Sequence, residues 1–142
     1  MPRGADAAPR RRSGHNKAVS YVAFLASGEL VSASTDSTLR IWDVDAHCSA
    51  RTLRGHLNEK NFVGLSVCGD YIACGSETNE VVVYYKSVST PTARHAFTAP
   101  AGGDESDGEA HQFISAVCWK GDGQLLLAAN SEGVLRVLAQ AP

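Results

Sequence analysis

The fold of this chain is decided by one stretch, LVSASTDSTLRIWDV at residues 30–44, which contains two short β-branched runs joined by a polar turn at Asp36 and Ser37. A Gly-His pair at residues 14–15 precedes the Trp-Asp pair at residues 42–43. Gly-His followed by a late Trp-Asp is typical of a β-propeller blade, a four-stranded sheet encoded by a repeat of about 40–45 residues. The stretch therefore predicts one antiparallel blade.

The same stretch predicts a buried hydrogen-bonded network. Its candidate members are His15, Ser32, Asp36 and Trp42. A buried donor needs a partner, and a buried polar network is favourable only when every member is satisfied. All four residue types occur at workable spacings, which favours a blade over coincidence.

The rest of the chain repeats this unit. Blades are predicted at about residues 15–54, 55–98 and 111–138, within one propeller domain at 14–142, and the third blade stops after its third strand. The predicted fold class is therefore all-β: a partial WD-repeat β-propeller of about three antiparallel blades, the last of them incomplete. Propellers typically close with about 4–8 blades. We therefore expect a fragment with two exposed blade faces, which either behaves poorly alone or assembles with itself or with other blades.

The second repeat departs from the signature. It opens with Gly55-His56, but Cys74, Thr78 and Tyr84 stand where the first repeat has its serine, aspartate and tryptophan. Its polar network is predicted to be incomplete, so apolar packing has to hold this blade together.

Two segments lie outside the repeats. Residues 1–13 are predicted to be a disordered tail, in which Arg10-Arg11-Arg12 is either a nuclear import or acid-binding patch or a solvated cluster. Residues 99–110 form an acidic loop insertion of low hydrophobicity. That loop is either a docking element for a basic partner or plain solvated surface.

Composition excludes several classes of function. The 142 residues are 44% hydrophobic and 20% charged, which fits one globular domain. The net charge of −2 gives no general argument for nucleic acid or membranes as partners, and no apolar run approaches the ~20 residues that span a bilayer. The first residues lack the apolar core of a secretory signal.

Catalytic and metal-binding motifs are not evident. The four cysteines form no C-x-x-C pair, and the five histidines show no metal-site spacing, so we expect no metal and no cofactor. The sequence has no Gly-rich phosphate loop and no nucleophile elbow, which argues against an enzyme. Cys74 and Cys118 fall in apolar strand patterns and are predicted to be buried, reduced thiols. Reduced cysteines suit a nuclear or cytoplasmic location.

Several strings resemble the constitutive photomorphogenesis ubiquitin ligases and, less specifically, their suppressor-of-phytochrome partners. The strings are GHNKAVSYV at 14–22, SASTDSTLR at 32–40, HLNEKNFVGL at 56–65, ACGSETNEV at 73–81, FISAVCWK at 113–120 and ANS at 129–131. The resemblance implies the last three blades of a seven-bladed, C-terminal propeller that recognises substrates in light signalling. The zinc RING of that family, which recruits the ubiquitin-conjugating enzyme, has no counterpart in this chain.

The resemblance also implies a peptide-binding surface. Propellers of that family bind acidic Val-Pro peptides of transcription factors or photoreceptors. By position, Lys17 would pair with a peptide carboxylate, Phe62 would form an apolar wall and Glu59 would orient a polar group. From the residues alone, Phe62 is instead a candidate for the core, and the two charges are simply solvated. The rival function is a structural scaffold that acts through exposed blade faces or the acidic loop.

Overall fold

The computed structural model describes residues 14–26, 28–46, 48–97 and 112–140, which form three antiparallel sheets. The first sheet has the order β1 (Val19–Phe24), β2 (Glu29–Ser34), β3 (Thr38–Asp43) and β4 (Cys48–Arg54). The second has the order β5 (Leu65–Cys68), β6 (Tyr71–Gly75), β7 (Glu80–Tyr85) and β8 (Ala93–Ala96). The third contains β9 (Ile114–Trp119), β10 (Leu125–Asn130) and β11 (Leu135–Ala139), with β10 in the middle.

This architecture confirms the predicted fold class. The described ranges are all-β, and their third sheet has three strands instead of four. None of these ranges holds a helix that is long and apolar enough to cross a membrane. The predicted tail at 1–13 and the acidic loop at 99–110 both lie entirely outside the described residues.

In each sheet, the hairpin loop between the second and third strands contains one residue with a left-handed backbone conformation. These residues are Ser37 with φ 64°, Asn79 with φ 61° and Gly133 with φ 88°. Hairpins with a short loop often need one residue in this region, which Gly and Asn adopt readily. The common backbone geometry shows that the three sheets are structural repeats.

The sheets pack face to face in chain order. Their first strands are neighbours, since β1 contacts β5 and β5 contacts β9. The core between the first two sheets contains Leu25, Val31, Ala33, Leu39, Ile41, Leu53, Ile72, Cys74, Val82 and Tyr84. The core between the second and third contains Ala73, Val81, Phe97, Ile114, Leu126 and Ala128. At Gly75 a Cβ atom would lie 2.7 Å from the Ile114 carbonyl oxygen, so only glycine permits this close approach.

The two outer faces of the stack are open, as the blade count predicts. On the first sheet, Val22 is 71% exposed and Phe24 is 81% exposed. On the third, Leu135 and Val137 are each 65% exposed. Alternate residues of a strand point to opposite faces, so these apolar side chains lie on the sides without a neighbouring sheet.

The prediction for the cysteines is half right. Cys74 is buried between the first two sheets, and burial raises the pKa of its thiol. Cys118 is exposed, so the prediction that it is buried is wrong. Its neighbours Val117 and Trp119 pack toward the second sheet, which turns Cys118 to the open face.

Candidate functional site

The structure brings the four predicted network residues of the first sheet together. The Trp42 indole N–H donates to Ser32 Oγ at 2.8 Å, and Ser32 Oγ lies 2.6 Å from His15 Nε2. His15 Nδ1 lies 3.0 Å from Asp36 Oδ2. A neutral imidazole with its proton on Nδ1 satisfies the chain, because Ser32 then donates to Nε2 and His15 donates to the carboxylate.

Thr38 is a fifth member of this network, which sequence reasoning missed. Its hydroxyl donates to Asp36 Oδ1 at 2.6 Å, and its backbone N–H donates to the same oxygen at 3.0 Å. The Asn16 N–H donates to Asp36 Oδ2 at 3.0 Å. The signal for Thr38 in the sequence is its position two residues after the turn aspartate, because Asp side chains commonly accept a hydrogen bond from the backbone N–H at that offset.

These donors keep Asp36 ionised. Partial burial acts to raise the pKa of this carboxyl group, but the Thr38 hydroxyl, the Asn16 N–H and His15 outweigh burial and lower the pKa to about 2. The network therefore ends on a stable negative charge at the turn between β2 and β3.

The second sheet replaces the network by a shorter link. The Tyr84 hydroxyl lies 2.7 Å from Nδ1 of His56, and both side chains are buried. Burial, assisted by the Arg94 charge, lowers the pKa of His56 to about 4, so the imidazole is neutral at pH 7. Burial also raises the pKa of Tyr84, which keeps its hydroxyl protonated.

A second anchored carboxylate organises the loop between β4 and β5. Glu77 accepts backbone N–H donors from Glu59 at 2.6 Å, Lys60 at 2.9 Å and Asn61 at 2.7 Å. Partial burial acts to raise the pKa of Glu77, but these three donors prevail and the pKa is lowered. Three consecutive amides on one carboxylate tie this loop to the turn between β6 and β7.

The same loop is tied to the first sheet. The Ser37 N–H and hydroxyl both donate to the Asn58 carbonyl oxygen at 3.1 Å, and the Asn58 N–H donates to Ser37 Oγ at 2.8 Å. Ser37 follows Asp36 in the turn. The loop that carries Glu59 and Phe62 therefore rests on the turn that closes the buried network.

Phe62 is presented to solvent by this loop. It is 61% exposed, and its ring meets Tyr21 of β1 edge to face, with 5.8 Å between the ring centroids. Phe62 lies in the loop before β5, which begins at Leu65, and its exposure shows that the interpretation of Phe62 as a core residue is wrong.

Lys17 and Glu59 are also exposed, each in the loop that precedes the first strand of its sheet. The Lys17 carbonyl oxygen accepts a bond from Ser34 Oγ at 3.2 Å, which holds its backbone while the side chain stays in solvent. Among the described hydrogen bonds, ion pairs and ring contacts, none joins Lys17 directly to Glu59 or Phe62. In the same residues, no group of three or more His, Cys, Asp or Glu side chains is placed to hold a metal.

Sequence comparisons agree with this geometry. The family model described as WD domain, G-beta repeat matches residues 9–43. The chain is 57% identical over 129 residues to E3 ubiquitin-protein ligase COP1 of Arabidopsis thaliana, which covers 91% of this chain and 19% of that protein. COP1 of Pisum sativum is 58% identical with the same coverage. Protein SUPPRESSOR OF PHYA-105 1 of Arabidopsis thaliana is 47% identical over 137 residues, covering 89% of this chain and 13% of that protein.

Solved structures show the same fold. The β-propeller domain of Cps50 (Swd1) from Myceliophteria thermophila superposes with a TM-score of 0.69 at 24% identity, covering 93% of this chain and 38% of that one. The WD40 β-propeller domain of Doa1 gives a TM-score of 0.68 at 21% identity, covering 89% and 38%. The chain spans about a fifth of the length of the ligases that it matches. Over that span, the chain belongs to the WD-repeat propeller family of the constitutive photomorphogenesis ligases and the suppressor-of-phytochrome proteins.

Proposed function

We propose that this chain is a non-catalytic protein-binding module whose loop surface, formed by Lys17, Glu59 and Phe62, binds acidic peptides with a Val-Pro core. The matching relatives include proteins named as ubiquitin ligases, and the part that this chain matches is a WD-repeat propeller. In this proposal the chain supplies recognition, and any ubiquitin transfer takes place elsewhere in the assembly.

The exposed and rigidly held Phe62 ring is the observation that carries the proposal. The Phe62 side chain is 61% exposed, so its apolar ring is available at the surface for a partner to cover. Its loop is held by the three amide bonds to Glu77, and its ring is braced by Tyr21. Such preorganisation lowers the entropy lost on binding. A Val-Pro pair is apolar and compact, so it suits the free face of this ring.

The flanking charges match an acidic peptide. Lys17 is exposed and can serve as a point charge for a peptide carboxylate. Glu59 is held only through its backbone N–H, so its carboxylate is free to orient a peptide amide or hydroxyl. Peptides of this type in transcription factors or photoreceptors are the proposed ligands, encountered in the nucleus, in the cytoplasm or in both.

The test is direct binding of a fluorescent acidic Val-Pro peptide to the full 142-residue chain. We expect Phe62→Ala and Lys17→Glu each to weaken binding about tenfold, which corresponds to a loss of roughly 1.4 kcal/mol in binding free energy. Tyr71→Ala and Lys120→Glu are matched controls, because they change an exposed aromatic and an exposed lysine away from this surface. Equal affinity of the wild type and Lys17→Glu would reject the assigned surface.

A scaffold role is the second candidate, and the open sheet faces favour it. Val22, Phe24, Leu135 and Val137 are all more than half exposed, and none belongs to the proposed peptide surface. This alternative predicts association that is insensitive to Phe62→Ala. The acidic loop at 99–110, its other proposed contact, would be tested by a pull-down with residues 101–109 removed.

A further inference from the structure

The loop between β7 and β8 carries a dipeptide that occurs once in the sequence. Of the 5 prolines, only Pro91 follows a serine or a threonine, and that residue is Thr90. Proline-directed protein kinases act on a serine or threonine that directly precedes a proline, whose backbone nitrogen has no hydrogen to donate. The sequence therefore offers a kinase of this class a single acceptor hydroxyl.

The Thr90 hydroxyl lies at the surface. Residues 87–90 form an unbroken exposed run between the two strands. Among the described hydrogen bonds, none involves the Thr90 hydroxyl, whereas the hydroxyl of Thr92 donates to the Val83 carbonyl oxygen at 3.1 Å. Thr90 can therefore accept a phosphoryl group without first losing an internal hydrogen bond.

The backbone on both sides of Thr90 is anchored to the end of β4. The Ser89 carbonyl oxygen accepts the Arg54 backbone N–H at 2.9 Å. The Pro91 ring packs on Gly55, where its Cδ atom would lie 2.5 Å from an added Cβ atom. These anchors use a carbonyl oxygen and a proline ring, so they hold the segment at the boundary between the first and second sheets and leave the Thr90 side chain outside it.

A cation lies beside this segment. Arg94 of β8 donates from Nη2 to the Gly55 carbonyl oxygen, and this nitrogen lies 3.2 Å from the point where a Gly55 Cβ atom would stand. Because the Pro91 Cδ atom lies 2.5 Å from the same point, the guanidinium is a close neighbour of the residue that follows Thr90. The Arg94 side chain is 43% exposed, and its ion pair with Glu80 is long, with 3.9 Å between Nη1 and Oε2. A guanidinium has five N–H donors, so Arg94 can bind a further anion.

The lysine of the same loop is less suited to that role. Lys86 Nζ already lies 2.9 Å from a carboxylate oxygen of Glu29 and 3.5 Å from one of Asp70. A phosphate would have to compete with both carboxylates for this ammonium group. An arginine also presents paired N–H donors that match two phosphate oxygens. Arg94 is therefore the better partner for a phosphate on Thr90.

We infer that Thr90 is a phosphorylation site of a proline-directed protein kinase and that Arg94 binds the phosphate. In the transfer, Thr90 Oγ1 bonds to the γ-phosphorus of magnesium-bound ATP, and the bond from that phosphorus to the β–γ bridging oxygen breaks. The hydroxyl proton passes to a carboxylate of the kinase, and ADP leaves. The product carries a charge of about −1.5 to −2 at pH 7 and three acceptor oxygens.

The test is incubation of the full chain with magnesium, γ-labelled ATP and either a cyclin-dependent or a mitogen-activated protein kinase, both of which are proline-directed. We expect one phosphate per chain, and its loss in Thr90→Ala. Ser89→Ala is the matched control, because Ser89 is also exposed but precedes a threonine instead of a proline, and it should take up as much phosphate as the wild type. A peptide of residues 86–93 tests the motif apart from the fold.

The role of Arg94 is tested by phosphorus NMR of the phosphorylated chain during a pH titration. An exposed ion pair lowers the midpoint of the second phosphate ionisation by about 0.2–0.7 pH units. We expect this lowering relative to the phosphorylated peptide, and its loss in Arg94→Gln. Arg136→Gln is the matched control, since Arg136 also donates to a carbonyl oxygen of a neighbouring sheet, that of Ala96 at 3.3 Å, and should leave the midpoint unchanged.

Several results would overturn the inference. They are a full chain that takes up no phosphate with either kinase, a Thr90→Ala variant that takes up as much as the wild type, and phosphorylation of the peptide but not of the chain, which would show that the fold conceals Thr90. Equal midpoints in the wild type and Arg94→Gln would reject Arg94 as the partner. Circular dichroism melts check that each variant is folded. The peptide-binding proposal is unaffected by these outcomes, because neither residue belongs to the surface of Lys17, Glu59 and Phe62.

Discussion

The Tyr84 hydroxyl lies 2.7 Å from His56 Nδ1, so the second sheet joins its aromatic residue to its histidine without an intermediary. In the first sheet, Trp42 reaches His15 only through the Ser32 hydroxyl. Tyr84 stands at the ladder position of Trp42, and a phenol can both donate and accept, whereas an indole only donates. The direct bond makes a serine unnecessary, which explains how the buried Cys74 can replace it.

Removing the Tyr84 hydroxyl should destabilise the chain. Tyr84→Phe leaves Nδ1 of His56 buried without its partner, which costs about 1–3 kcal/mol. Urea unfolding followed by tryptophan fluorescence measures this loss. Tyr85→Phe is the control, because Tyr85 is half-buried and its hydroxyl has no partner among the described hydrogen bonds. If both variants lose the same free energy of unfolding, the hydrogen bond between Tyr84 and His56 makes no specific contribution to stability.

Ser32→Ala should interrupt the first network at its centre. Both the Trp42 indole N–H and His15 Nε2 lose their partner, and we expect a loss of about 2–3 kcal/mol in the free energy of unfolding. Ser49→Ala, on the exposed part of β4, should change it by less than about 0.5 kcal/mol. If Ser32→Ala is as stable as the Ser49 variant, the network contributes little to stability.

Stability should fall as the pH drops from 6.5 to 4. Burial and Arg94 lower the pKa of His56 from 6.5 to about 4 in the folded chain, so over this interval the unfolded chain binds a proton that the folded chain does not. Linkage then makes unfolding easier at lower pH, by roughly 2–3 kcal/mol in total. Denaturant titrations at a series of pH values test this. A His56→Asn variant should be less stable at pH 7 and should show a flatter pH profile in this interval.

Glu77→Gln should loosen the loop that carries Phe62. The neutral amide is a weaker acceptor for the N–H groups of Glu59, Lys60 and Asn61, because charge-assisted bonds are about twice as strong. We expect faster hydrogen exchange at these three amides, measured by mass spectrometry or NMR, with little change in the core strands. Glu132→Gln, at an exposed turn of the third sheet, is the control and should leave exchange in the loop unchanged. Unaltered exchange in Glu77→Gln would show that the carboxylate does not hold the loop.

Much of the fold followed from local pattern. The spacing of Gly14-His15 and Trp42-Asp43 located the first sheet, and the equivalent turn positions located the other two. The structure links Trp42, Ser32, His15 and Asp36, in that order, in one hydrogen-bonded chain. Such agreement is physically reasonable, because a four-stranded sheet is encoded within one short repeat and its hairpin turns are local.

Which side chains of the strand faces and loops are exposed to solvent was decided by the tertiary structure. An alternating pattern shows that a strand has two faces, but Val22 and Leu65, at equivalent positions, differ in exposure only because the first sheet covers the second. Repeat spacing alone favours a core position for Phe62, but the loop before β5 turns its side chain to solvent while the next residue, Val63, is buried. The Glu77 bonds to residues 59–61 join distant parts of the chain. The sequence by itself thus determined the repeats, the turns and four of the five residues of the first network, which depend on local spacing. Tertiary structure decided which faces and loops meet water, because that depends on contacts between residues far apart in the chain.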